Sequence, residues 1–332
     1  MKAAIYERRG PAREVLQIVD RRIPEPGPGE VRVRIAVSAV NPSDTKARTQ
    51  WRGDSQMPYP VITPHQDGAG TIDRVGAGVS TDRIGQRVWL YMAQRGRPFG
   101  TAAEYTVVPS ERAVELPQTA SFDDGACLGI PALTAHYALF SDGALCCQTV
   151  LVQGGAGAVG FYAVQLAKWG GARKVIATVS REEQAAQARL AGADVVVNYT
   201  RADAIAAIRD GAGGDAAVDR IIEVDFGANV AMDLAVIARN GVVASYGSDA
   251  DPEPKLPYAA FSRKNVTLRM ALIYEAPQSA REAATRDINL LLETRGLRHQ
   301  VATRFPLDQI VEAHEAQETR KIIGKVLVGV AD

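Results

Sequence analysis

Over roughly the first 120 residues, apolar positions come in short runs that alternate with polar ones and are cut by glycine and proline. In Val31-Arg32-Val33-Arg34-Ile35-Ala36-Val37 the apolar side chains fall on one face at period two and the arginines on the other, which predicts a strand with one wet face. Two Pro-Gly pairs within 24–30, and the glycine-rich stretches 75–79 and 95–100, mark corners. Such a pattern predicts an irregular β-rich lobe.

From about residue 123 the pattern changes to strands alternating with helices, which predicts a parallel sheet covered on both faces. Strands are expected at 150–152, 175–179, 195–197, 221–224 and 242–246, with helices at 161–169 and 182–190, the second stopping at Gly192. The run 266–272 alternates like a sixth, edge strand. Helices near 279–294 and 307–317 and a strand at 325–330 do not extend this series, so they are expected to fold back on the first lobe. The predicted fold class is therefore α/β. A doubly wound Rossmann domain covers 124–273, and a β-rich domain is built from both chain ends, 1–123 and 274–332.

Composition changes this picture little. A chain of 332 residues, 46% hydrophobic and 23% charged, suits two globular domains at roughly 150 residues each. Its 38 basic and 38 acidic residues cancel, so no overall field attracts nucleic acid or an anionic membrane. Three cysteines, Cys127, Cys146 and Cys147, are too few for a disulfide framework or a four-thiolate zinc site, which points to a reducing, cytoplasmic setting. Without a long apolar stretch or leader-like start, a soluble protein is expected.

The chemistry enters at Gly154-Gly155-Ala156-Gly157-Ala158-Val159-Gly160, between a buried strand and a helix. Gly155, Gly157 and Gly160 form the G-x-G-x-x-G pattern, which supplies a tight turn, close backbone approach to a pyrophosphate and a helix N-terminus facing the anion. About 20 residues further on, a site for NADH carries an acid against the ribose 2′-hydroxyl. Here Ser180 and Arg181 stand instead. A hydroxyl and a guanidinium suit a 2′-phosphate, so NADPH is favoured, with NADH as the alternative.

Several further segments recur in a fixed order: Asn41-Pro42-Ser43-Asp44, Asp67-Gly68-Ala69-Gly70, Gly129-Ile130-Pro131-Ala132-Leu133-Thr134-Ala135, the glycine loop, and Ile222-Glu223 with Gly247-Ser248. Together they resemble the medium-chain dehydrogenase/reductase superfamily, and within it the zinc-free, zeta-crystallin-like quinone oxidoreductases. The resemblance implies a GroES-like catalytic domain, a Rossmann domain and an active site in the cleft between them. It also implies Asn41 beside the nicotinamide ribose, Thr134 near the nicotinamide, and Gly155, Gly157, Val159 and Gly160 around the pyrophosphate. Ser180, Arg181 and Tyr199 would reach the 2′-phosphate, Gly247 and Ser248 would line the nicotinamide side, and Arg320 would contact phosphate from the tail. Two positions depart from the family. Lys46 replaces a tyrosine of the acceptor pocket, where it is expected to act with Asn41, and Gln184 replaces a lysine that helps hold the 2′-phosphate.

A catalytic zinc needs a thiolate and a His-Glu pair, where this chain offers Asn41 and Gln66-Asp67, so no metal is expected. His65 alone reads as a surface or hydrogen-bonded residue, Cys127 as core, the vicinal Cys146 and Cys147 as the approach to the first Rossmann strand, and Arg8, Arg9, Arg95 and Arg97 as solvated charges. The expected function is NADPH-dependent hydride transfer to a quinone or related enone, by a homodimer paired through the sixth strand. Two other classes stay open: a nucleotide-binding protein with a structural or RNA-binding role and little turnover, and a zinc-type alcohol dehydrogenase. Zero net charge and 6% aromatic content argue against an RNA surface.

Overall fold

The computed structural model describes residues 1–49, 56–214, 217–319 and 321–330. The chain divides into two compact units, Met1–Ile130 with Thr285–Asp332, and Pro131–Ala284. In chain order the first unit contributes β1 (Lys2–Ile5), α1 (Ala12–Val15), β2 (Gln17–Asp20), β3 (Glu30–Val40) and α2 (Pro42–Thr49). Then come β4 (Asp67–Val75), β5 (Arg87–Leu90), β6 (Tyr105–Pro109), β7 (Ala113–Glu115) and the start of α3 (Phe122–Phe140).

The second unit alternates: β8 (Thr149–Val152), α4 (Ala158–Trp169), β9 (Lys174–Val179), α5 (Glu182–Ala191), β10 (Val195–Asn198) and α6 (Ala204–Ala212). It continues with β11 (Val218–Glu223), α7 (Phe226–Val236), β12 (Ile237–Ser245), α8 (Tyr258–Arg263) and β13 (Thr267–Met270). Helix α9 (Gln278–Glu293), β14 (Val301–Pro306), α10 (Ile310–Glu318) and β15 (Lys325–Gly329) complete the chain.

Among the described residues the second unit holds a six-stranded sheet of order β10-β9-β8-β11-β12-β13, every neighbouring pair parallel. Leu151, Ile176, Val197, Ile221 and Val243, one from each of five strands, are buried in one apolar cluster. Both faces of a parallel sheet are covered, which is why β8 is buried throughout and reads as an apolar run from Val150 to Val152. The order reverses between β8 and β11, so the loops after these two strands open at the switch point, where an α/β sheet takes its ligand.

The first unit's main sheet runs β14-β15-β3-β4-β5-β7, with β6 also on β3. Val31, Val33 and Ile35 are fully buried, as the period-two pattern demands. The opposite face of β3 is less wet than expected. Arg32 is largely covered, paired with Asp73 at 2.9 Å and stacked on Tyr105, and from Val37 to Val40 both faces are buried. Arg97 also departs from a solvated charge: its guanidinium meets Glu30 at 2.6 Å and is mostly buried. Cys127 is core, with burial pushing its thiol up to about 12, whereas Cys146 and Cys147 lie exposed in the turn before β8.

Helix α3 breaks at Gly129, whose φ of −4° and ψ of −110° are not helical. The break frees the Ile130 N–H, which donates to Asp67 Oδ1 at 2.9 Å. A Cβ at Gly129 would lie 2.0 Å from that same oxygen, so only glycine lets the carboxylate in. Gly129→Ala is therefore expected to destabilise the protein by roughly 3 kcal/mol or more, as forced overpacking does. Urea denaturation checks this, and an unchanged midpoint would show that Asp67 does not need the space.

Candidate active site

In the first unit the site is built by strand register. β15 pairs antiparallel with β3 so that Val326 faces Val40, and one step on this brings Lys325 opposite Asn41. β4 pairs with the other edge of β3 so that Asp67 faces Ala39. The three side chains converge: Asn41 Nδ2 donates to Asp67 Oδ2 at 2.7 Å, and Lys325 Nζ donates both to Asn41 Oδ1 and, at 3.1 Å, to Asp67 Oδ2. All three are buried. Burial pushes the Asp67 carboxyl up, and Lys325, Asn41 and the Ile130 N–H pull against it.

Asn41 also begins α2, with Pro42 in its first turn. Its backbone N–H donates to Asp44 Oδ2 at 2.7 Å, which is half of a capping box. The Asn41 side-chain oxygen, which ordinarily would cap the helix, is diverted to Lys325, and its amide nitrogen serves Asp67 and lies within hydrogen-bonding reach of Asp44. Asp44 itself is buried beside Asp67, and desolvation pushes its pKa up to about 7. Lys46, one turn further along α2, is half-buried.

Behind this group runs a buried file whose direction follows from its arginine. Arg48 Nε–H donates to His314 Nδ1 at 3.3 Å, so the neutral His314 carries its proton on Nε2 and donates to His65 Nε2 at 2.9 Å. His65 Nδ1–H then donates to Ser38 Oγ, Ser38 donates to Thr101 Oγ1, both at 2.7 Å, and Thr101 donates to the Asp67 carbonyl at 2.5 Å. Burial pushes His65 down to about 3 and His314 well below its ordinary value, so both stay neutral.

In the second unit the loop after β8 carries the glycines. Gly155 and Gly160 serve packing: a Cβ on them would fall 2.6 Å from the Ala177 Cβ and 2.2 Å from the Gly154 carbonyl oxygen. Gly157 is exposed, caps α4, and leaves its bare Cα open to an approaching group. The left-handed turn is made by Gly154, at φ 68°, one residue ahead of the expected pattern. Val159 lies in the first turn of α4, whose leading N–H groups have no partners within the helix. Thr134 is buried in α3.

Ser180 directly follows β9, and Arg181 caps α5, exposed to solvent. Gln184 Oε1 accepts from Ser180 N–H and Ser180 Oγ, both at 2.9 Å, and from Arg181 N–H at 3.2 Å. The glutamine thus closes the helix end and engages the serine hydroxyl. Tyr199, after β10, is exposed nearby in the fold. A Cβ on Gly247 would come within 2.4 Å of the Val224 carbonyl oxygen, and Ser248 Oγ accepts from Gly227 N–H at 3.0 Å while donating to Asp251 O. These two residues hold the loop after β12 against the start of α7. Arg320 lies outside the described residues.

Comparison with known proteins decides the family. The alcohol dehydrogenase GroES-like domain matches residues 27–118, and the zinc-binding dehydrogenase family matches residues 158–289. A quinone oxidoreductase of Mus musculus is 32% identical over 320 residues, covering 94% of this chain and 92% of that protein. The chain belongs to the zeta-crystallin-like quinone oxidoreductases of the medium-chain dehydrogenase/reductase family. A solved NAD-dependent alcohol dehydrogenase, 28% identical, superposes with a TM-score of 0.89 and full coverage of both chains. A mycobacterial protein complexed with NADPH, 27% identical, superposes at 0.85 with 99% of each chain covered.

Membership in this family raises the question of zinc, and the donor set here does not fit one. An amide stands where a thiolate is needed, an ammonium already holds it, and both nitrogens of His65 are engaged. Among the described residues no group of three or more His, Cys, Asp or Glu side chains is placed to hold a metal ion. Sequence reading assigned no role to Lys325, His314 or Arg48. Only the pairing of β15 and the packing of α10 bring them to this place, although the Gly324-Lys325 pair ahead of an apolar run was visible.

Asp44 provides a pH test. Its carboxyl binds a proton more tightly in the folded protein than in the unfolded chain, so the stability it contributes is complete below about pH 4 and lost as pH rises through about 7. Asp44→Asn keeps the acceptor for Asn41 and removes the titration. Its advantage over the wild type should grow between those limits, by up to roughly 4 kcal/mol. Urea curves at several pH values measure this, and a constant difference would show that Asp44 is ionised throughout.

Proposed function

We propose that this chain is an NADPH-dependent, zinc-free oxidoreductase that reduces quinones, with related conjugated enones as the nearest alternative substrates. The observation that carries the reading is the loop at the switch point. There a left-handed Gly154, a bare and exposed Gly157 and the N-terminus of α4 come together, as a nucleotide pyrophosphate requires. NADPH, when bound, supplies a hydride from its nicotinamide C4. Gly157, Val159 and Gly160 would hold the pyrophosphate, Thr134, Gly247 and Ser248 the nicotinamide side, and Ser180, Arg181 and Tyr199 the 2′-phosphate.

The first unit's residues suit acceptor binding better than strong acid–base work. Asn41 is held in one orientation by Asp67, Lys325 and Asp44, a fixed polar group against which an acceptor would be oriented. A quinone spreads the arriving charge over its own conjugated system, so no Lewis acid is needed, and Lys46 or water supplies the proton. Among the described residues no helix is long and apolar enough to cross a membrane, and we place the enzyme in the cytoplasm. We further propose a homodimer, formed by pairing of β13, which occupies the edge of its sheet.

With purified protein, NADPH absorbance should fall on addition of quinones, more slowly with enones, and not with simple aldehydes. Turnover of aldehydes alone, or of none of these, would overturn the reading. Arg181→Ala should weaken NADPH binding by about tenfold, the loss of one charge-assisted contact, while leaving NADH nearly unchanged. Equal losses in a binding titration would remove Arg181 from the 2′-phosphate.

A further inference from the structure

Glu223 and Asp233 form a buried acid pair beneath the glycine loop, at the end of β11 and on α7. Glu223 Oε1 accepts from Asp225 N–H at 2.5 Å and Asn229 Nδ2 at 2.9 Å, and Asp233 Oδ1 accepts from Gln153 Nε2 at 3.2 Å. The remaining oxygens, Glu223 Oε2 and Asp233 Oδ2, are buried without a donor, and the two side chains lie within hydrogen-bonding reach of each other. Two ionised carboxylates can only accept. One proton between these oxygens turns two orphans into a donor and an acceptor.

The surroundings favour that proton. Asp225 adds like charge from the turn after β11, the Tyr246 phenol stands near Glu223 after β12, and Asn229 and Gln153 are neutral. Among the described residues no ion pair reaches either acid. Burial pushes both carboxyls up, Asp233 well above its ordinary value.

The pair also reaches the loop. Gln153 Oε1 accepts from Thr178 Oγ1 at 2.7 Å, and Thr178 Oγ1 accepts from the Gly154 N–H at 3.0 Å. Gln153 therefore faces Thr178 with its oxygen and Asp233 with its nitrogen, and the chain of bonds runs from the left-handed turn to the acids. We infer that Glu223 and Asp233 share one proton, and that Asp233 is a positioning residue which, through Gln153 and Thr178, fixes the turn at Gly154 in the shape that takes a nucleotide pyrophosphate. The role rests on the cofactor reading above. If the proton leaves, two like charges face each other without a cation, and the side chain holding Gln153 must move.

Asp233→Asn tests this, because its amide can donate to Glu223 while its oxygen still accepts from Gln153. The infrared difference spectrum of the intact wild-type protein minus Asp233→Asn at neutral pH should show a protonated-carboxyl stretch, the contribution of Asp44 being common to both proteins and cancelling. In NADPH titrations without acceptor, the two proteins should bind alike at neutral pH. On going to alkaline pH the wild type should weaken by about tenfold more than the variant, the order expected when buried polar groups lose their partners. Absence of the infrared band, or parallel affinities at every pH, would overturn the inference. A wild type that binds no NADPH at any pH would instead refute the cofactor reading and, with it, the positioning role.

Discussion

Burying Asp67 is the constraint around which the first unit is arranged. A carboxylate taken out of water is tolerated only when donors replace the water it loses, and Asp67 gathers three: Asn41, Lys325 and the Ile130 N–H. Each comes from a different segment, so the requirement ties β4 to the start of α2, to β15 and to the break in α3. The glycine at that break, the diverted cap of α2 and the return of the last strand to β3 follow from one buried charge.

The file from Arg48 to Thr101 extends the same logic by hydrogen-bond direction. Arginine can only donate, so its contact with His314 fixes both imidazole tautomers and both hydroxyls in turn, ending on the Asp67 carbonyl. Two histidines that, read as types, invite a metal are thereby made neutral members of a scaffold. Arg48, fully buried, is in turn held by Gly10 O and by the Glu318 carboxylate. Its charge is compensated at the edge of the unit instead of at the site.

The sheet of the second unit was legible because period and length carry it: β8, β9, β10, β11 and β12 fall on the apolar runs of the sequence, with β13 at the edge. The glycine loop was legible as a cluster. The residue making the left-handed turn, Gly154, was not, because adjacent glycines are equivalent until φ separates them. Long-range partners were hidden for a different reason. Lys325 lies 284 residues from Asn41, and nothing local marks a lysine that register will place beside an asparagine. Gln184 was read by its type, as a missing charge, whereas its geometry makes it a helix cap that engages Ser180.

The two units compensate buried carboxylates differently, and the difference matters for how pH reaches the chemistry. Asp67 is compensated by the Lys325 ammonium, which donates to it at 3.1 Å. Among the described residues Glu223 and Asp233 have no cation, so a shared proton is what compensates them. A proton held between acids leaves at a pH set by their burial and by neighbouring charge, here Asp225. Its loss is felt at the acids bonded through Gln153 and Thr178 to the turn at Gly154.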